Sequence, residues 1–153
     1  MMKKNQFLIL VAGIIFFVCN IIFAQEKFLN YNKNEHKEQN NIVSSIFEHV
    51  ESGISNGNVS EIAGYLNSQT YLSLSNGISG YYSSNQAFYV LENFFKIYKV
   101  SSFHFQNIQA YENLPYATGI YKYYFRGKKD SANVYISLKQ DGDTWKITQF
   151  TIN

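Results

Sequence analysis

The 153-residue chain carries 13 basic and 11 acidic side chains, 13 Tyr and 13 Phe, but one Pro and one Cys. A chain of this length makes one domain around one core, its aromatic content argues against disorder, and it lacks the basic excess that marks nucleic-acid binding. A lone Cys excludes a disulfide framework and a thiolate metal cluster.

The first 24 residues read as a secretory leader. Lys3 and Lys4 precede the apolar run Phe7 to Phe23, and Ala24 offers a small residue for cleavage. An uncleaved anchor is the alternative, although the run is slightly short for a membrane span and contains Asn20. Lipidation at Cys19 is disfavoured by the bulky Val18 before it and by its place inside the run. Cleavage removes Cys19, so the mature chain has no thiol nucleophile, and it removes Lys3 and Lys4, which levels the formal charge. The expected location is the periplasm or the extracellular space, with membrane contact only through the leader.

Residues 25–39 are polar, mixed in charge and without period, which predicts a flexible spacer; His36 within it has no accompanying metal-ligand pattern. Ile42, Val43, Ile46, Phe47, Val50 and Ile54 then form a helical stripe that ends near Asn56 and Gly57, where Gly can take the left-handed cap. Asn58 and Glu61 match a capping box for a short second helix with Val59, Ile62, Ala63 and Leu66 inward. Asn58, Val59, Ser60 also fits a glycosylation acceptor, but the cap explains Asn58 with fewer assumptions. Leu72 and Leu74 alternate with Ser73 and Ser75 before Asn76-Gly77, a strong hairpin signal.

The stretch from Ile78 to Lys99 organises the chain. Ser83 and Gln86 match a capping box, Tyr82 can staple onto Ala87, and Ala87, Val90, Leu91, Phe94, Phe95 and Tyr98 make one apolar helical face. Glu92 and Lys96 form a favourable surface pair on the other side. After this helix the period becomes two, predicting strands at Ser102 to Glu112, Ala117 to Arg126, Asn133 to Gln140 and Thr144 to Ile152. The breaks fall at Asn113 to Pro115, Gly127 to Ser131, and Asp141-Gly142, and such short connections make successive strands antiparallel.

Several motifs carry a resemblance. They are the helix pair joined at Gly57-Asn58, the entry Tyr81, Tyr82, Ser83 with Gln86, Ala87, Phe94 and Phe95, and the closing Trp145, Lys146, Ile147. With these, residues 40–153 resemble the nuclear transport factor 2-like superfamily, in an exported bacterial branch resembling the domain of unknown function 4783. The resemblance implies an α+β cone: three N-terminal helices, with a β-hairpin between the second and third, packed on a curved antiparallel meander around a pocket. It does not imply an activity, because the superfamily contains dehydratases, isomerases and non-catalytic binding modules. Its isomerases, such as ketosteroid isomerase, use an Asp base with an oxyanion hole of Tyr and protonated Asp. Here Asp130, Asp141 and Asp143 are the only Asp residues, and all fall in predicted turns.

The remaining candidates are few. His104 alternates with Phe103 and Phe105, so it faces either the pocket or solvent; Glu112 reads as a rim carboxylate, and His49 as a boundary residue that forms no dyad with Glu48. Tyr121 and Tyr123 share a face with Phe125, while Lys122, Tyr124 and Arg126 share the other and, with Lys128 and Lys129, form a basic rim. The expected ligand-binding set is His104, Tyr121, Tyr123 and Tyr89, with no cofactor and no metal. The leading expectation is a non-catalytic module that binds a small apolar or anionic ligand or a protein. Two alternatives stand beside it: a dehydratase or isomerase using His104 with a tyrosine, and an envelope subunit forming a homodimer through the sheet.

Overall fold

A computed structural model describes residues 37–110 and 114–153. The leader, the spacer through His36, and Glu112 lie outside the described residues. One compact unit spans Asn40–Asn153.

The first helix, α1, is helical over 37–56 and buries Val43, Ile46, Phe47, Val50 and Ile54, whereas Ile42 is 48% exposed and belongs to its outer face. Its end is a paired turn. Gly57, at φ 63°, donates to the Ile54 carbonyl, and Asn58 N–H reaches back to the Gly53 carbonyl at 2.8 Å. The second helix, α2, is a single turn, Ser60–Ala63, with Val59 as its N-cap. Asn58 and Glu61 do meet, but side chain to side chain at 2.9 Å, and Asn58 Oδ1 accepts from Ser60 N–H. Leu66, expected on this helix, instead opens a strand.

That strand, β1 (Leu66–Leu74), turns through Asn76-Gly77 into β2 (Ser79–Tyr82). Gly77 sits at φ 88° and Asn76 Oδ1 accepts from Ile78 N–H, so the turn is made by the residues that signalled it. Helix α3, Ser84–Ile97, starts on the full Ser83–Gln86 capping box. It buries Ala87, Leu91, Phe94 and Phe95, with Val90 and Tyr98 partly buried beside them, and its outer face carries the Glu92–Lys96 pair at 3.0 Å.

The meander follows as β3 (Lys99–Gln109), β4 (Tyr116–Phe125), β5 (Lys128–Asp141) and β6 (Thr144–Ile152). All its neighbours are antiparallel. The complete sheet is mixed, in the order β2-β1-β6-β5-β4-β3, because β6 also pairs in parallel with β1. This parallel contact corrects the expectation of a purely antiparallel sheet; it joins segments far apart in sequence, where no turn residue announces the pairing.

A second correction concerns the β4–β5 connection. Arg126 (φ 48°) and Gly127 (φ 77°) make a two-residue turn, the left-handed pair that matches strand twist. Lys128 to Ser131, expected in a loop, therefore extend the ladder, and Asp130 lies in β5 opposite Tyr123. Within β4, Gly119 lets the chain cross β3 closely: a Cβ there would stand 2.5 Å from the His104 carbonyl oxygen, and the Phe103 ring already covers the position.

Both long helices pack on one face of the sheet. Phe47 of α1 meets Phe105 edge-on at 5.8 Å, and Phe94 and Phe95 of α3 lie against Tyr121 at 6.2 and 5.8 Å. Helix α1 also closes the edge strand. Glu51 Oε2 accepts the Phe105 N–H at 2.8 Å, and the Ser55 hydroxyl donates to the Phe103 carbonyl at 3.1 Å. These backbone groups, which an edge strand otherwise leaves to solvent, are taken by side chains.

Candidate functional site

Strand alternation puts Tyr121 and Tyr123 on the inner face of β4, and both are buried. Their rings stack at 5.5 Å. The Tyr121 hydroxyl donates to the Tyr98 carbonyl just past α3, which supplies the partner that a buried phenol needs. Burial pushes the Tyr121 phenol well above its ordinary range. Tyr123 meets the Tyr98 ring edge-on at 5.4 Å, and Tyr98 itself stacks between Phe94 and Phe125.

Tyr123 also reaches the end of the sheet. A cleft of about 230 Å³ opens there, bounded by Ser101, Lys122, Tyr123, Lys129, Asp130 and Ser131. Its shape comes from an irregularity in β3: Val100 pairs with Tyr123 and Ser102 with Lys122, so Ser101 is an extra residue on the edge. The Tyr123 phenol is raised by burial first and by the neighbouring Asp130 carboxylate second, which keeps it protonated and a hydrogen-bond donor. The Asp130 carboxylate accepts from the Ser131 N–H at 2.8 Å. Around the cleft, Lys129 lies over the Tyr124 ring at 5.3 Å and Arg126 over Phe125 at 5.0 Å, so the basic rim is anchored on aromatic faces.

The other expected residues are elsewhere. His104 projects from the outer face with its side chain 80% exposed, and its Nδ1 sits 2.7 Å from Glu51 Oε1. Its neighbours Phe103 and Phe105 took the inner face, which sends His104 out by alternation. No hydrogen bond joins it to Tyr121 or Tyr123 among the described residues. Tyr89 is 60% exposed on α3 and touches Phe88. It lies off the apolar stripe of its helix. The structure thus brings Tyr121 and Tyr123 together and separates both from His104 and Tyr89. His49 is also exposed and bonds the Ser45 carbonyl.

Asp130, Ser101 and Ser131 were not among the candidates. The signal for Asp130 was Arg126-Gly127, a pair able to turn the chain in two residues and so to lengthen β5 past the lysines.

A family model described as Domain of unknown function (DUF4783) matches residues 47–153. Among solved structures, the chain is similar to a DUF4783 family protein from Bacteroides uniformis, with 22% identity over 69% of this chain and 94% of that one and a TM-score of 0.63. A DUF4783 family protein from Bacteroides ovatus is 20% identical over 67% of this chain and 89% of that one, with a TM-score of 0.59. A hypothetical protein from Catenulispora acidiphila with a ketosteroid isomerase-like fold, solved with trimethylamine, is 9% identical over 71% of this chain and 83% of that one, with a TM-score of 0.56. No curated protein matches.

Proposed function

Because this chain belongs to the DUF4783 family and has the nuclear transport factor 2-like fold, we propose that it is an exported, non-catalytic binding module whose ligand is a small anion held in the Tyr123 cleft. The observation that carries this reading is the composition of the cleft: Lys122 and Lys129 bound it together with the hydroxyl-bearing Tyr123, Ser101 and Ser131, against the single carboxylate of Asp130. Lysine ammonium groups and neutral hydroxyls are donors suited to an anionic oxygen. Asp130 then orients one end of the ligand by accepting from it.

The competing enzyme reading, which uses His104 with a tyrosine, needs that imidazole beside Tyr121 or Tyr123 within the pocket. His104 is exposed and bound to Glu51 at the β3 edge, so it does not supply it.

Native mass spectrometry on the protein purified under mild conditions from its own cells tests the proposal. An added small mass that disappears in the Lys122→Glu, Lys129→Glu double variant supports it. A chain that carries no added mass, or one whose added mass survives both charge reversals, overturns it. The same spectrum reports the mature N-terminus and the subunit count.

A further inference from the structure

A second concavity, open to solvent, lies on the outer face of the sheet across β2, β1, β6 and β5, with a volume of about 600 Å³. It is built by two coincident irregularities in adjacent strands. Along the parallel β1–β6 pair, Leu66 faces Ile147 and Tyr71 faces Gln149, so Asn67 to Thr70 arch outward opposite Thr148 alone. On its other side β6 itself bulges at Thr148, because Ser137 faces Gln149 while Leu138 faces Ile147. The arch is fastened from within by Thr70, a fully buried polar side chain whose hydroxyl donates to the Ile147 carbonyl at 2.9 Å and accepts the Asn67 N–H at 3.1 Å. Bulges re-aim side chains, and these direct Asn67, Gln69 and Gln149 into one hollow.

The lining has a particular chemistry. Tyr71 and Tyr81, a cross-strand pair with ring centroids 5.2 Å apart, form one wall, and Tyr81 is 72% exposed although its ring is large and apolar. Opposite them stand primary amides and the hydroxyls of Ser137 and Thr148; Lys139 is the one charged residue of the lining. Amides and hydroxyls each donate and accept, so they match a ligand whose groups do both. A carboxylate or phosphate would find one cation, and a purely apolar ligand would strip water from the amides without replacing their hydrogen bonds. A pyranose ring fits both requirements: its C–H face stacks on an aromatic ring while its hydroxyls pair with amides. The cleft volume falls within the usual range for small-molecule sites.

We propose that this outer-face hollow is a binding site for neutral saccharides, with Tyr81 as the stacking platform and Asn67, Gln69 and Gln149 reading the hydroxyls. It is separate from the Tyr123 cleft and does not rest on it.

The test is to screen the labelled full chain on an array of immobilised neutral glycans and then titrate the retained oligosaccharide by calorimetry. Retention is expected, with affinity falling about tenfold in Tyr81→Ala, the size of one aromatic stacking contact, and about fivefold in Gln69→Ala, the size of one hydrogen bond. Both side chains are exposed, so neither change removes core packing. Tyr89→Ala and the Lys122→Glu, Lys129→Glu variant serve as controls and are expected to keep full affinity. An array with no retained neutral glycan overturns the proposal. So does binding that Tyr81→Ala leaves intact, or binding confined to acidic glycans and lost on reversing Lys122 and Lys129.

Discussion

Tyr121 shows how one residue ties the sheet to the helix above it. Its ring is fully buried, and its hydroxyl satisfies the Tyr98 carbonyl where α3 hands over to β3. Replacing it with Phe keeps the ring but leaves that carbonyl without its donor, an expected cost of about 1–3 kcal/mol in urea unfolding. The raised phenol also gives a pH dependence of definite sign. A group whose folded pKa lies above its unfolded value stabilises fully below the unfolded value and loses that contribution as pH rises through the folded one. The melting temperature is therefore expected to fall above about pH 10, the ordinary phenol range, and to fall less in Tyr121→Phe. An equal loss in both proteins would show that Tyr121 is not responsible. At this scale the sequence was half legible. Alternation placed His104 opposite Phe103 and Phe105, but it cannot say which side is the interior; only the packing of Phe47 and Phe94 against the sheet decides that. The exposure of Tyr89 is legible, since the period of α3 already puts it outside the stripe of Ala87, Leu91, Phe94 and Phe95.

Among the elements, those with local punctuation formed where their residues said. Ser83 and Gln86 cap α3 reciprocally, and Ser83→Ala is expected to cost about 1 kcal/mol in thermal or urea unfolding. Asn76-Gly77 closes the first hairpin in the same way. The length of the β4–β5 hairpin is hidden by charge: Lys128, Lys129 and Asp130 look like a solvated loop, yet an exposed edge of a ladder is solvated too. The Thr70 arch was invisible in sequence, since a threonine in a strand of alternating pattern gives no sign that its hydroxyl will stand in for a backbone donor. Thr70→Val is close in shape and removes only that function. Its expected cost is about 1–3 kcal/mol, with a matching loss of protection at the Asn67 amide in hydrogen exchange. A Val variant as stable as the parent would mean that the arch holds without its clasp.

On the scale of the whole molecule, the α+β class and the resemblance to nuclear transport factor 2-like proteins were readable because they depend on the order of elements. The mixed sheet was not, because it depends on a contact between β1 and β6 that crosses the entire domain. Edge protection is likewise a property of the assembled whole. With Glu51 and Ser55 occupying β3 backbone groups, Glu51→Ala is expected to open the strand to pairing with other chains and to raise light scattering at high concentration. Unchanged scattering would show that the rest of α1 covers the edge sufficiently.

The position of β6 has a further consequence, in the order of events during synthesis. It lies between β1 and β5, and it follows every other described strand in the chain. Until β6 leaves the ribosome, the first hairpin and the three preceding meander strands are two ribbons with no shared ladder, each presenting an open flank. The arrival of β6 is therefore the event that merges the two ribbons into one sheet.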